Sequence, residues 1–295
     1  MARRTALGGP WWWRPLALSA ALAGAVWLLY QGATAGWASD PRVQSAFWGG
    51  SMAAAATALG TLPVLLAQRL SQRVSDAMMG FGAGVMLAAC AFSLIIPALA
   101  AARQQGGSQW ASSGTVGLGV LLGAMLLLIA DQCVPHEHFS KGREGMAAKA
   151  LRRSWLFVLA IALHNIPEGL SIGVAFGGTN EAGARALATG ISIQDIPEGM
   201  VVALALRGVG YGRWHSAAMG TLSGLVEPVA AVLGAALMTW STQLLPWGLA
   251  GAAGAMLFVI SHEIIPESHR QGHEVTATVG LLLGFVLMMV LDTMG

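Results

Sequence analysis

Charge is what this chain has least of. Only 10% of its 295 residues are Asp, Glu, Lys or Arg, and its mean hydropathy is +0.64. A soluble domain carries about 25% charged residues. That shortage leaves too little polar surface for a water-soluble globule, so the alternative solvent is lipid. Cysteine is scarce too. Cys90 and Cys133 fall in or at the end of apolar runs and form no CxxC pair, and a thiol in such a place behaves as a small hydrophobe. The net charge of +2 comes from basic loops and gives no reason to invoke nucleic acid. No stretch reads as a soluble domain.

Long apolar runs are what the chain has in quantity. A helical span needs ~20 apolar residues, and nine candidates satisfy that ruler: about 16–36, 46–68, 75–101, 114–134, 155–177, 183–207, 214–239, 245–266 and 274–294. Spanning strands would require a closed barrel built from ~10-residue alternating segments. These runs are longer and do not alternate, so the fold class is all-α, a polytopic membrane helix bundle. An N-terminal segment, 1–45, precedes a transmembrane domain, 46–295.

Basic residues orient the spans. With the N-terminus in the cytoplasm, thirteen of the sixteen Lys and Arg fall in inside loops, leaving only Arg42, Arg103 and Arg185 outside. The C-terminus is then extracytoplasmic. The first run, Leu16–Tyr30 after Arg14, fits either a retained helix with Trp11–Trp13 as an interfacial anchor or a signal peptide cut near Ala33–Ala38. The retained helix is the preferred reading, and cleavage would leave the remaining topology unchanged.

An internal repeat crosses the middle of the chain. His164-Asn165-Ile166-Pro167-Glu168-Gly169 and Gln194-Asp195-Ile196-Pro197-Glu198-Gly199 share four of six positions, 30 residues apart on consecutive spans. Consecutive spans run in opposite directions, so the pair is inverted. A weaker echo links Gly84-Val85-Met86-Leu87 and Ile95-Ile96-Pro97 to Gly254-Ala255-Met256-Leu257 and Ile264-Ile265-Pro266. Inverted repeats with broken helices meeting near mid-membrane are a recurring transporter plan.

The repeat carries chemistry. His164 and Glu168, like Gln194 and Glu198, are four residues apart and share a helix face. Asn165 and Asp195 flank the same faces, and Glu227, followed by Pro228, lies near the middle of the next span. Pro167 and Pro197 each remove an amide donor and displace the carbonyl four residues back, and irregular backbone in a membrane must be buried or line a wet cavity. A carboxylate at mid-bilayer costs ~2.5–3.5 kcal/mol even on the lenient scale. Glu168, Asp195, Glu198 and Glu227 have no mid-span Lys or Arg to pair with, so two divalent cations would balance them. Imidazole, carboxylate and amide oxygen suit zinc, iron(II), manganese or cadmium. Asn165 and Gln194 could instead cross-link helices by hydrogen bonds.

Outside this constellation, His262 and Glu263 lie toward the cytoplasmic end of the eighth span, with Glu267, His269 and His273 beyond, and His136 and His138 follow the fourth. They are candidates for an exit path. Asp131 and Asp292, near span ends, read as solvated or capping residues. An intramembrane metallohydrolase is disfavoured: Asn165 stands where an H-E-x-x-H motif needs its general base, and no second histidine follows. A channel wants weak, multi-site binding, which a dense ligand set opposes. A metal sensor, which binds without moving its ion, stays open. No prosthetic group is expected.

The chain resembles the ZIP family of divalent metal transporters. The paired hexapeptides match the family's metal-binding helices, and the likeness covers about residues 46–294. The resemblance implies eight core transmembrane helices, with the first span as one extra N-terminal helix, and an inverted repeat of three helices around a central pair. It implies a two-metal site on His164, Asn165, Glu168, Gln194, Asp195, Glu198 and Glu227, and it adds Met86 from the second core helix. It also implies a homodimer in the inner membrane, metal movement toward the cytoplasm, and an elevator-like slide of one helix group against another. One departure is the loop after the fourth span: many relatives carry a histidine-rich run there, whereas this chain has only His136 and His138, which weakens any metal-buffering role for the loop.

Overall fold

Helices begin where the sequence supplies caps. Asp40 accepts a hydrogen bond from the Arg42 backbone N–H at 2.8 Å, and Pro41 opens the first helix, where its missing N–H costs nothing. The computed structural model describes residues 39–66, 71–133, 164–208 and 210–294. The extra N-terminal span and the loop with His136 and His138 lie outside the described residues.

Eight helices follow one another at the places of the second to ninth expected spans: α1, Pro41–Thr61, with a short further turn Pro63–Leu66; α2, Gln72–Gln104; α3, Gln109–Cys133; α4, residues 164–177; α5, Glu181–Gly208; α6, Arg213–Trp240; α7, Thr242–His269; and α8, Glu274–Met294. The fold is an all-α polytopic membrane helix bundle, with no strand among the described residues. Among the described residues five helices, α2, α3, α6, α7 and α8, are long and apolar enough to cross a membrane by length and composition alone. α5 falls short of that measure because it carries Glu181, Arg185, Gln194, Asp195, Glu198 and Arg207. α3 and α8 turn Leu121, Leu122, Leu126, Leu282 and Leu283 outward, the side that lipid would cover.

Proline explains the interruptions. In α2 a π-helical turn, Ala89–Ile95, stands directly before Ile96-Pro97, and in α7 another, Ile260–Ile264, stands before Ile265-Pro266. A proline ring clashes with the carbonyl four residues back, and a widened turn gives that carbonyl room. The weak sequence echo between these spans thus corresponds to the same irregularity at the same place. In α6 the helix breaks at Leu225 and restarts at Val226, just ahead of Pro228. α5 instead runs through Pro197 without interruption.

The helices associate in two groups. α1 packs chiefly on α5 and α6, and α4 lies against α1 and α6 through Gly49, Gly169 and Gly173. α2 packs chiefly on α8, and α3 on α7, with α2 and α7 also in contact. α5 meets α2 and α8 across the boundary. Small residues set these distances, as expected where lipid offers no hydrophobic drive. A Cβ on Gly123 would collide with the Gly251 backbone, whereas one on Gly114, on the same helix, would meet nothing within 4 Å. Gly123→Val is therefore expected to cost about 1–3 kcal/mol, read as a lowered melting temperature in detergent. Gly114→Ala is expected to be neutral or slightly stabilising. Equal melting of the two variants would refute close α3–α7 packing.

Candidate metal centre

Two glycines let the site form. Each hexapeptide ends in Pro-Glu-Gly, and each glycine is where a neighbouring backbone passes closest. A Cβ on Gly169 would strike the Glu227 backbone, and one on Gly199 would strike the Thr57 carbonyl. α4 is thereby held against α6, and α5 against α1. The carboxylates on those faces are drawn into one volume.

Glu168, Asp195 and Glu198 each offer an oxygen, and these oxygens lie within 4.8 Å of one another. The Gln194 amide nitrogen stands among them, donating to Glu168 Oε1 at 2.7 Å, Asp195 Oδ1 at 2.7 Å and Glu198 Oε2 at 3.2 Å. An amide has two protons, so it cannot serve three carboxylates fully. Gly82 of α2 makes room beside it, since a Cβ there would approach Gln194 Oε1 to 3.0 Å.

Glu227 forms the other side. It lies in the first turn of the second α6 segment, where exposed helix N–H dipoles favour a carboxylate. Its Oε1 accepts from Asn165 Nδ2 at 3.0 Å and Thr57 Oγ1 at 3.2 Å. Asn165 Nδ2 also donates to the Ser223 carbonyl at 3.3 Å, which uses both amide protons and turns its oxygen away from these partners.

Among the described residues six buried side-chain atoms have no hydrogen-bond partner; two, Arg207 Nε and Ser216 Oγ, lie elsewhere, and the other four are Asn165 Oδ1, Glu168 Oε2, Asp195 Oδ2 and Glu227 Oε2. These four belong to this site, and all are acceptors. Leaving one buried polar group unsatisfied costs about 1–3 kcal/mol, more for a charged one. No Lys or Arg pairs with these carboxylates among the described residues. Clustered buried oxygens without donors are what a hard or borderline cation requires, so the residues present fit a divalent metal as substrate.

The comparisons with known proteins agree with this chemistry. The family model described as ZIP Zinc transporter matches residues 135–292. The chain belongs to the ZIP zinc transporter family. It is 48% identical to the zinc transporter ZIPB of Bordetella bronchiseptica, covering 94% of this chain and 91% of that protein. It is 47% identical to the zinc transporter GufA of Myxococcus xanthus, covering 82% and 95%. With the human zinc transporter ZIP11 it shares 33% identity, covering 80% and 93%.

The residues expected to bind metal in a ZIP protein are only partly gathered here. Glu168, Gln194, Asp195 and Glu198 meet directly, and Asn165 meets Glu227. His164 sits at the edge, its Nε2 2.8 Å from Glu263 Oε2. Glu263 thus comes to the site itself, a contact between helices almost 100 residues apart in sequence that spacing could not reveal. His262 is exposed and stacks on Phe258. Met86 is buried in the main apolar core, one helical turn after Gly82. His136 and His138 lie outside the described residues.

Two further polar contacts differ from the sequence reading. Asp292 is neither simply solvated nor a cap: it accepts from Ser93 Oγ, in the π-helical turn of α2, at 2.6 Å. His273 pairs with the fully buried Asp76 at 2.8 Å, and Gln72 donates to the same carboxylate. Thr57, the hydroxyl on Glu227, is a site residue that sequence reasoning missed.

Metal binding to the folded state should raise stability by ~2.7 kcal/mol when free zinc is a hundred times its dissociation constant. The zinc-induced rise in melting temperature of the detergent-purified protein is expected to shrink in Glu168→Gln and in Asp195→Asn. A rise of equal size in wild type and both variants would locate the bound ion elsewhere.

Proposed function

We propose that this protein carries divalent metal ions, zinc first among them, across a bacterial inner membrane toward the cytoplasm through a two-metal site. The observation that carries the reading is the set of four buried acceptor oxygens without donors, contributed by α4, α5 and α6. One cation would take the cluster of Glu168, Asp195 and Glu198, with His164 and Gln194 at its edge. A second would lie toward Asn165 Oδ1 and Glu227 Oε2. Two divalent charges balance the four carboxylates. Gln194 ligates in this scheme by turning its amide over, so that oxygen replaces the nitrogen now facing the carboxylates. Met86 is the softer ligand suggested by family resemblance. Iron(II), manganese and cadmium accept overlapping donor sets and are further candidate substrates.

Several features support the vectorial reading. The relatives named above are zinc transporters by name. The Lys and Arg bias puts the C-terminus outside and, with the first helix retained, the N-terminus inside. Glu263 and His262 then lie on the cytoplasmic side of the site, so the His164–Glu263 pair is the first station of the exit path, and His136 and His138 are later ones. The family resemblance implies an elevator-like movement in a homodimer, and the packing offers the group α1, α4, α5 and α6 against α2, α3, α7 and α8 as its two parts.

The test is zinc influx into liposomes that hold a zinc-sensitive dye. Wild type is expected to transport, and His164→Ala to lose most of that flux. Losing a group that merely orients a metal ligand typically costs about 10–100-fold, and losing the ligand itself is expected to cost no less. Equal flux in both would keep a transporter and remove His164 from its essential ligands. Zinc binding without flux in wild type would make the protein a sensor instead.

A further inference from the structure

We propose that Thr57 is a positioning residue for the second cation: its hydroxyl fixes Glu227 so that Oε2, not Oε1, faces the metal. The inference rests on the reading of Glu227 as a ligand given above.

Thr57 is on α1, a helix that supplies none of the expected ligands. It is 2% exposed, and α1, α5 and α6 converge on it: the Gly199 backbone meets its carbonyl, and a Cβ on Gly224 would lie 2.9 Å from its own Cβ. The hydroxyl has two acceptors within reach, the Ala53 carbonyl one turn back at 3.3 Å and Glu227 Oε1 at 3.2 Å. It has one proton to give. Donation to its own helix is the default for a buried threonine. Donation to an ionised carboxylate forms the stronger, charge-assisted bond, so a charged Glu227 draws the proton across.

The result is an asymmetric carboxylate. Oε1 is held by Thr57 from α1 and by Asn165 from α4, while Oε2 has no partner and is buried. A glutamate held by only one of these donors can swing about its last torsion, which is broad, and exchange its oxygens. Two donors from two helices on the same oxygen prevent that exchange. Thr57 also ties α1 to α6 at the depth of the site, so its effect on the metal passes through Glu227 and not through a bond of its own.

The test compares zinc binding by calorimetry in the purified full chain for Thr57→Val, Thr57→Ser, Glu227→Gln and the double variant Thr57→Val/Glu227→Gln. Valine fills the same space without the hydroxyl, and Thr57→Ala carries the same test should the valine variant not assemble. Thr57→Val is expected to weaken one of the two zinc-binding events by about 10–100-fold, leaving the other within about twofold of wild type. Thr57→Ser is expected to restore it. The double variant is expected to bind as Glu227→Gln does, since the hydroxyl then has no carboxylate to orient. Wild-type binding by Thr57→Val beside impaired Glu227→Gln would overturn the role of Thr57 alone. Additive losses in the double variant, or a serine variant as weak as the valine one, would overturn it too. Wild-type binding by Glu227→Gln would overturn the ligand assignment beneath it.

Discussion

Buried negative charge without positive side chains is the constraint on which the rest of this structure depends. Glu168, Asp195, Glu198 and Glu227 are gathered from three helices of a membrane bundle, and the donors on them are amides and a hydroxyl, with no lysine or arginine paired to them among the described residues. A medium without water makes each such group expensive. The sequence features that looked like separate peculiarities follow from meeting that constraint. Glycines at the ends of both hexapeptides bring α4 to α6 and α5 to α1, so that donors on one helix reach acceptors on another. The break before Glu227 presents a helix N-terminus to it. π-helical turns in α2 and α7 stand directly before the prolines and make room for their rings.

Much of this was legible in sequence because it is periodic. Spacing of four puts His164 with Glu168 and Gln194 with Glu198 on one face regardless of packing, and apolar run length locates the spans. What spacing cannot supply is the partner on another helix. Thr57 looks like an ordinary helix threonine bonded to its own carbonyl. Asp292 and Glu263 look like residues near span ends, yet each finds a partner from a distant helix, Ser93 and His164. Sequence indicated that Asn165 and Gln194 were either ligands or helix cross-links. Asn165 is a cross-link through its nitrogen while its oxygen remains without a donor, so the two readings are compatible in one side chain.

The division into two helix groups gives the His164–Glu263 contact a particular standing. His164 is on α4, which packs with α1 and α6, while Glu263 is in the π-helical turn of α7, which packs with α3 and α2. It is a polar side-chain tie at the edge of the site between groups that otherwise meet mainly through apolar and small residues of α5, α2 and α8. An apolar, glycine-lined boundary resists sliding weakly because dispersion contacts are non-directional and are remade after a shift. A directional contact at 2.8 Å is not remade so readily. Whatever relative movement the groups undergo, this pair registers it.

A site that satisfied its own acceptors would be a structural network. Fully bonded buried polar clusters rigidify a core, and a single arginine among these carboxylates would supply five donors in a fixed fork and fill the place a cation needs. The chain instead uses donors that orient without neutralising. The Asn165 amide spends both protons on Glu227 Oε1 and the Ser223 carbonyl, which leaves its own buried oxygen without a donor, and the Gln194 amide is shared among three carboxylates that it cannot fully satisfy. The deficit that remains is both a number of charges and a set of directions. Because it can be met by a divalent ion and relieved when that ion leaves, the same feature that makes the folded protein costly also suits this cluster to the carrier role proposed for it.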